Sequence, residues 1–245
     1  MKVGILMIGT GRYINFFDKL YNSLNEHFLI NHDKKIYLFT DANRKFPENV
    51  NVISVTRQGF PGDTMFRYNY FLSINQKLRN ETDVLYYMDI DSLAVNTIGD
   101  EILPSVGKPL VAVAHPGFYK INLGTPETRP ISKAYINPNE PREYYIAGGM
   151  QGGKTSEYLD AIKNVNDMIY NDYNRGIIPV YHDESMWNRY YTSNKTQFKI
   201  LNPAYVYPEC KFRNINIGNY HSLKIYKITP RLLALDKNHI WYRAA

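Results

Sequence analysis

Two aspartates one residue apart, Asp89 and Asp91, directly follow the apolar run Val84 to Met88. In an extended segment, residues i and i+2 project to one side, so these two carboxylates would crowd each other. A bound cation relieves that repulsion, and hard oxygen ligands suit Mn²⁺ or Mg²⁺. An ion bridging the pair and a diphosphate would neutralise a departing nucleoside diphosphate. A simple strand-end turn is the plain alternative, because aspartate favours turns. A second cluster, His182-Asp183-Glu184-Ser185, follows the run Ile177-Ile178-Pro179-Val180. Helix capping and first-turn charge account for Asp183, Glu184 or Ser185, but not for His182 beside them. A carboxylate here could face the anomeric carbon of a sugar and stabilise an oxocarbenium-like transition state.

Other candidates are weaker one by one. Gly9-Thr10-Gly11 would let a ligand approach the backbone closely, and Tyr13 could stack on a base. Position 14 is Ile14, so the full G-x-G-x-x-G dinucleotide fingerprint is absent. Arg67 could bind phosphate or pair with Asp89; a surface arginine is the ordinary alternative. His115-Pro116-Gly117-Phe118-Tyr119 and Ala147-Gly148-Gly149-Met150-Gln151-Gly152-Gly153 read as aromatic or glycine-rich turns.

The elements that must carry these residues are legible as period and punctuation. Val3 to Ile8, Lys35 to Phe39, Val50 to Val55, Val84 to Met88 and Leu110 to Ala114 read as strands. Helical spacing marks the stretch around Phe16 to Phe28. A helix is expected over Thr64 to Leu78, with Asp63 as N-cap. This alternation implies a wound, mainly parallel sheet, in which ligands bind beyond the carboxyl ends of the strands. Gly9-Thr10-Gly11, Asp89-Ile90-Asp91 and His115-Pro116-Gly117 all fall at such ends. Asn122 to Pro141 reads as a long loop, of a length that is often functional. Tyr144 to Met150 is expected as a strand ending in Gly148-Gly149, with helices over Ser156 to Tyr170 and Glu184 to Tyr191.

A length of 245 residues suits one sizeable α/β domain with appended pieces, or at most two small domains. Hydrophobic content of 44% and charged content of 21% exclude a disordered chain. The net charge of +6 favours anionic partners such as phosphates. Its basic residues form no stripe, which argues against nucleic acid. Cys210 is the single cysteine, so disulfide frameworks and cysteine zinc sites are excluded. The first apolar run is too short for a signal peptide, and no run reaches transmembrane length. A cytoplasmic protein without a membrane anchor is expected.

Taken together and in order, these segments resemble glycosyltransferase family 6, which includes the histo-blood-group A and B transferases and the α-1,3-galactosyltransferases. The resemblance runs from about Val3 to about Arg243. It is closest in Phe39-Thr40-Asp41, His115-Pro116-Gly117-Phe118-Tyr119, Ala134-Tyr135-Ile136, Gly148-Gly149 with Gly152-Gly153, His182-Asp183-Glu184-Ser185 and Asp236-Lys237-Asn238-His239. It implies a glycosyltransferase A-type fold in a single catalytic domain, residues 1–115 forming a nucleotide-sugar-binding half and 116–245 an acceptor-binding half and closing tail. It also implies a retaining transfer of N-acetylgalactosamine or galactose from a UDP-sugar in α-1,3 linkage to an oligosaccharide acceptor, a galactoside with or without fucose. By the same resemblance, Ile8, Thr10 and Tyr13 match the uridine-binding segment. Arg67, His182 and Asp183 match residues around the donor sugar, and Asp89 and Asp91 the Mn²⁺ (or Mg²⁺) ligands. Glu184 matches the catalytic glutamate and His115 an acceptor-binding histidine. Ala147, Gly148 and Gly149 match the segment that decides between the two sugars. Lys237 and Arg243 match basic residues that close over the diphosphate.

Animal members carry a membrane anchor and stem, and this chain resembles the shorter bacterial members that lack them. Several of those carry Asn-x-Asn and work without metal; here both aspartates stand, which implies metal dependence. Tyr181 replaces the tryptophan common before His-Asp-Glu and would still offer an aromatic platform to an acceptor sugar. Two rival readings are a different Asp-x-Asp transferase acting on a lipopolysaccharide-type acceptor and a non-catalytic sugar- or nucleotide-binding protein on the same fold.

Overall fold

A computed structural model of the chain describes residues 1–212, 225 and 227–237. In chain order the regular elements are β1 (Lys2–Ile8), α1 (Phe17–His27), β2 (Asp33–Thr40), β3 (Val50–Ser54), α2 (Gly62–Met65), α3 (Arg67–Leu72) and α4 (Asn75–Glu81). Then come β4 (Val84–Met88), β5 (Ser92–Ala94), β6 (Leu110–Ala114), β7 (Ile146–Lys154), α5 (Thr155–Tyr173), α6 (His182–Asn194), β8 (Phe198–Leu201), β9 (Tyr207–Pro208), α7 (Glu209–Phe212) and β10 (Leu232–Ala234).

Continuously apolar strands, buried on both faces, belong in the centre of a mainly parallel sheet. That is where β1, β4 and β6 lie, in a seven-stranded sheet of order β3-β2-β1-β4-β7-β6-β8. Only β7 runs antiparallel to its neighbours. Successive side chains of a strand face opposite sides. Val3, Ile5 and Met7 of β1 therefore pack with Phe17, Leu20 and Leu24 of α1 on one side. Leu6 packs on the other with Tyr68 and Phe71 of α3, Leu159 and Ile162 of α5, and Trp187 of α6. The arrangement is the α/β wound sheet that the sequence implied. No helix of the described residues is long and apolar enough to cross a membrane.

Two elements differ from the sequence reading. The stretch from Thr64 to Leu78 is three short helices, broken at Phe66 and Ile74. Around the first break, the Arg67 side chain turns back and its Nε donates to the Thr64 carbonyl at 3.1 Å. Asp63 is no N-cap. It lies in the first turn of α2, and its carboxylate accepts from Gln58 N–H at 2.8 Å, Gly59 N–H at 3.1 Å, Thr10 Oγ1 at 2.9 Å and the Tyr70 hydroxyl at 3.0 Å.

β7 also runs on past Gly148-Gly149 to Lys154. Gly152 and Gly153 are therefore strand residues rather than a ligand-facing turn. Packing demands them: a Cβ on Gly152 would meet the Leu85 carbonyl at 2.3 Å, and one on Gly153 the Pro109 carbonyl at 2.4 Å.

A second sheet, β5-β10-β9, joins a late segment of the chain to the strand that follows Asp91. β10 pairs antiparallel with β5, and Leu235 N–H donates to the Asp91 carbonyl at 2.8 Å.

Candidate active site

The carboxyl ends of β1, β4 and β6 and the amino end of the reversed β7 meet at one edge of the large sheet. Two backbone bonds fasten them: Asp89 N–H to the Gly149 carbonyl at 2.9 Å, and His115 N–H to the Tyr145 carbonyl at 2.8 Å. A cavity of about 740 Å³ opens there. Its wall includes Tyr13, Asp89, Asp91, His115, Ala147, Gly149, Glu184 and Lys237, drawn from segments far apart in sequence.

At one end stand the two aspartates. Asp91 is buried, and burial together with the nearby Asp89 carboxylate pushes its pKa up to about 6, against the pull of Lys237. Lys237 Nζ lies 3.1 Å from Asp91 Oδ2 and 5.4 Å from the centre of the Tyr13 ring. Burial alone would lower the Lys237 pKa, but Asp91 and Asp89 hold it above its ordinary value. Asp89 is more open; its Oδ1 accepts from the Tyr87 hydroxyl and lies 3.5 Å from Arg67 Nη1.

The pair fits a divalent cation in its chemistry: two crowded oxygen donors whose repulsion a cation would relieve, with an ammonium already drawn to one of them. No group of three or more His, Cys, Asp or Glu side chains suited to a metal occurs among the described residues. Mg²⁺ and similar ions commonly take one or two carboxylates and complete their shell with waters and substrate phosphates.

Arg67 lies one layer behind this wall, almost fully buried, with its guanidinium 4.6 Å from the centre of the Tyr87 ring. Its Nε is 3.1 Å from Asp183 Oδ2, and its Nη1 donates to the Gly148 carbonyl at 3.3 Å. Burial is the largest influence on the Arg67 pKa and lowers it, but Asp183, Tyr87 and Asp89 outweigh it and the guanidinium stays charged. Asp183, buried at the start of α6, is pushed up to about 6 by desolvation despite Arg67. Neither Arg67 nor Asp183 borders the cavity. Arg67 instead ties together Asp89, Gly148 and the turn that carries Glu184.

Glu184 does border it. Gly148 N–H donates to its Oε2 at 2.8 Å. Burial raises its pKa to about 7, more than the Gly148 bond lowers it. Gly148 thus sits behind Glu184, serving it with an N–H and Arg67 with a carbonyl. Gly149 does line the cavity, and a Cβ there would meet Asp89 Oδ2 at 2.9 Å. His115 is held neutral, with burial lowering its pKa to about 4. Its Nδ1 accepts from Gly117 N–H at 3.1 Å, which leaves Nε2–H as the donor.

The remaining expected residues among those described are not part of the cavity wall. Ile8 ends β1, and Thr10 is buried on Asp63. The Phe39-Thr40-Asp41 segment braces that turn: Thr40 Oγ1 donates to the Gly9 carbonyl at 2.6 Å, and Asp41 Oδ1 accepts from Gly11 N–H at 2.9 Å. His182, in the left-handed region at φ 49°, packs edge-on to Phe60. The Tyr181 ring is exposed. Arg243 lies outside the described residues, as do Asn238 and His239. Sequence reasoning missed Val206, Pro208, Glu209 and Cys210 as site residues, and all four line the cavity with Asp236. Glu209 is buried and accepts from Asp236 N–H at 2.8 Å. An acid set between a proline and the lone cysteine, Pro208-Glu209-Cys210, was the available signal.

Residues 1–230 match the family model described as Glycosyltransferase family 6. The chain belongs to glycosyltransferase family 6. Family members with which it aligns include the O-antigen biosynthesis glycosyltransferase WbnI of Escherichia coli, 33% identical over 214 residues, covering 85% of this chain and 89% of that protein. Histo-blood group ABO system transferase 1 of Rattus norvegicus is 29% identical over 84% of this chain and 61% of its own length. The human globoside alpha-1,3-N-acetylgalactosaminyltransferase 1 is 26% identical over 86% of this chain and 62% of its own. This family 6 chain is accordingly a glycosyltransferase, acting between a sugar donor and an acceptor.

Proposed function

We propose that the protein transfers N-acetylgalactosamine, or galactose, from a UDP-sugar to the 3-hydroxyl of an acceptor galactoside, with retention of the α configuration. The observation that carries this reading is that one cavity gathers both sets of residues. Asp89, Asp91, Lys237 and Tyr13 gather at a polyanion end, and Glu184, His115 and Ala147 line its wall as well. The Tyr13 ring offers a face to the uracil, and the Lys237 ammonium opposes diphosphate charge. Asp89 and Asp91 would hold Mn²⁺ or Mg²⁺, which when bound supplies further charge neutralisation at the departing UDP.

Glu184 is held by Gly148 N–H, with the Tyr145 hydroxyl beside its carboxylate, and it borders the cavity where the anomeric carbon would lie. It serves there as nucleophile or as electrostatic stabiliser of an oxocarbenium-like centre. The C1–O bond to UDP breaks, a bond from C1 to the acceptor O3 forms, and the hydroxyl proton passes to a phosphate oxygen of the departing UDP. His115 Nε2–H donates to an acceptor hydroxyl. The small Ala147 and Gly149 on the cavity wall leave room for an N-acetyl group, which favours the N-acetylated sugar. The relative named for O-antigen biosynthesis favours, as a second reading, a bacterial surface-glycan acceptor for the same chemistry.

The test is a donor-by-acceptor matrix: UDP-N-acetylgalactosamine, UDP-galactose and UDP-glucose against galactosides, each with Mn²⁺ and with EDTA. Product from the first two donors, α-linked by NMR, is expected. Turnover with UDP-glucose alone, or UDP binding without turnover, overturns the reading.

A further inference from the structure

Asn188 stands one turn after Glu184 on α6, on the same face of the helix, and is buried. Asparagine suits a helix interior poorly, because its amide competes for backbone groups, and a buried amide needs partners for its polar atoms. Asn188 finds two of them on β7. Its Oδ1 accepts from Ile146 N–H at 2.9 Å, and its Nδ2 donates to the Ile146 carbonyl at 2.8 Å and to the Glu184 carbonyl at 2.9 Å. These partners fix the orientation of the amide, since the flipped group would set donor against donor and acceptor against acceptor. The bonds to Ile146 reproduce those of an antiparallel strand residue, which exchanges both N–H···O bonds with the residue opposite. The β4–β7 pairing runs from Met150 to Lys154. Earlier in β7, at Ile146, a side-chain amide of α6 stands in for a strand.

This splice fastens the acid. On either side of Ile146 in the chain are two groups that meet the Glu184 carboxylate: Tyr145, whose hydroxyl is beside it, and Gly148, whose N–H donates to Oε2 at 2.8 Å. The contacts close a ring. It runs from the Glu184 carboxylate through Gly148 and β7 to Ile146, across the Asn188 amide, and back to the Glu184 carbonyl. Asn188 itself is not part of the cavity wall, so its influence on the chemistry passes through Glu184. From this geometry we infer that Asn188 is a positioning residue: its carboxamide sets the register of α6 on β7 and so holds the Glu184 carboxylate at the cavity wall. The inference rests on the reading that Glu184 acts at the anomeric carbon.

The experiment compares wild type with Asn188→Leu, Asn188→Ser and, as a control, Thr192→Val. Leucine keeps the branched shape and removes all three bonds. Serine can return a hydroxyl to the Glu184 carbonyl but cannot span to β7, and it leaves room for water at Ile146. Thr192 donates to the Asn188 carbonyl at 2.8 Å within the same helix, so its variant loosens α6 without altering the amide. UDP titration counts the folded, binding-competent molecules in each preparation. Both Asn188 variants are expected to lose about 10²-fold in kcat, the scale of a misplacement of about 1 Å, while KM for the UDP-sugar stays within about twofold. The groups facing the Glu184 carboxylate are Tyr145 and Gly148 of β7, Asp183 of α6 and Arg67 of α3. All are retained, but the Gly148 bond that lowers the Glu184 pKa is lost. The rise of kcat/KM with pH should therefore move above its wild-type midpoint of about 7. Thr192→Val should lower the urea midpoint and keep both kcat and the pH profile.

Wild-type kcat or an unmoved pH profile in the Asn188 variants overturns the inference. Loss of UDP binding by both overturns it as well, since Asn188 then serves the fold alone, and so does a kcat loss in Thr192→Val as large as theirs. If Glu184→Gln keeps near-native turnover, the reading of Glu184 falls and the inference with it. If Glu184→Gln is inactive while the Asn188 variants are normal, only the positioning role falls.

Discussion

Glu184 carries the sharpest consequence at the scale of single residues. Burial holds its carboxyl near a pKa of about 7, whereas the ordinary value is 4.5. If the ionised form acts on the anomeric carbon, the active fraction grows as pH rises through that value. The kcat/KM for transfer is expected to climb about tenfold per pH unit below 7 and to level off above it. Glu184→Gln should lose about 10²- to 10⁴-fold in kcat, the span usual for a positioned acid or base, while UDP binding by calorimetry is kept. A flat profile between pH 5 and 8, or a Gln variant with near-native turnover, would remove Glu184 from the chemistry. His115 does not complicate that profile, since it titrates far lower, at about 4. The residue types and their neighbours in sequence gave Glu184, Asp89 and Asp91 as candidates, and all three border one cavity. Arg67 shows where such reading stops. A lone arginine in a helical stretch says nothing about depth, and only the fold shows it buried against Asp183 and beneath Asp89.

At the scale of elements, the reversed strand β7 links the parts of the site. Entering at its start, Ala147 and Gly149 reach the cavity while Gly148 braces Glu184 from behind. Further along, Gly152 allows β4 to lie close. Gly152→Ala is expected to destabilise by about 1–3 kcal/mol, the usual cost of overpacking, because the backbone carbonyl of Leu85 cannot step aside. Urea unfolding measures this, and an unchanged midpoint would show that the strand can yield. The strands themselves were legible in the sequence because uninterrupted apolar runs admit little else. The long helix expected over Thr64 to Leu78 was not: its apolar spacing persists across the break at Phe66, but Arg67 engages the Thr64 carbonyl. Asp63 likewise looked like a cap, yet its partners Thr10 and Tyr70 are brought to it only by the folded chain. The reach of β7 beyond Gly149 was hidden because glycine signals turns at least as strongly as close-packed strands.

At the scale of the whole molecule, the polyanion end of the cavity depends on contacts between distant parts of the chain. UDP and Mn²⁺ together are expected to raise the thermal midpoint more than either alone, since ligands that bind only the folded state stabilise it by about 2.7 kcal/mol at a hundredfold excess over Kd. Asp91→Asn should abolish the joint increment and any stimulation of transfer by Mn²⁺. Wild-type turnover insensitive to EDTA would refute metal dependence. The sheet order brings segments from both halves of the chain to one edge, a product of winding that local sequence does not announce. Asp91 then meets Lys237 and Leu235 through the small sheet β5-β10-β9. That clasp sets the timing of biogenesis. Domains fold from the N-terminal side as synthesis proceeds, so the large sheet can form while the later residues are still being added. The cleft stays open beside Asp91 until residue 237 has been added, so on the proposed reading a nascent chain, however well folded its sheet, cannot yet hold a diphosphate there.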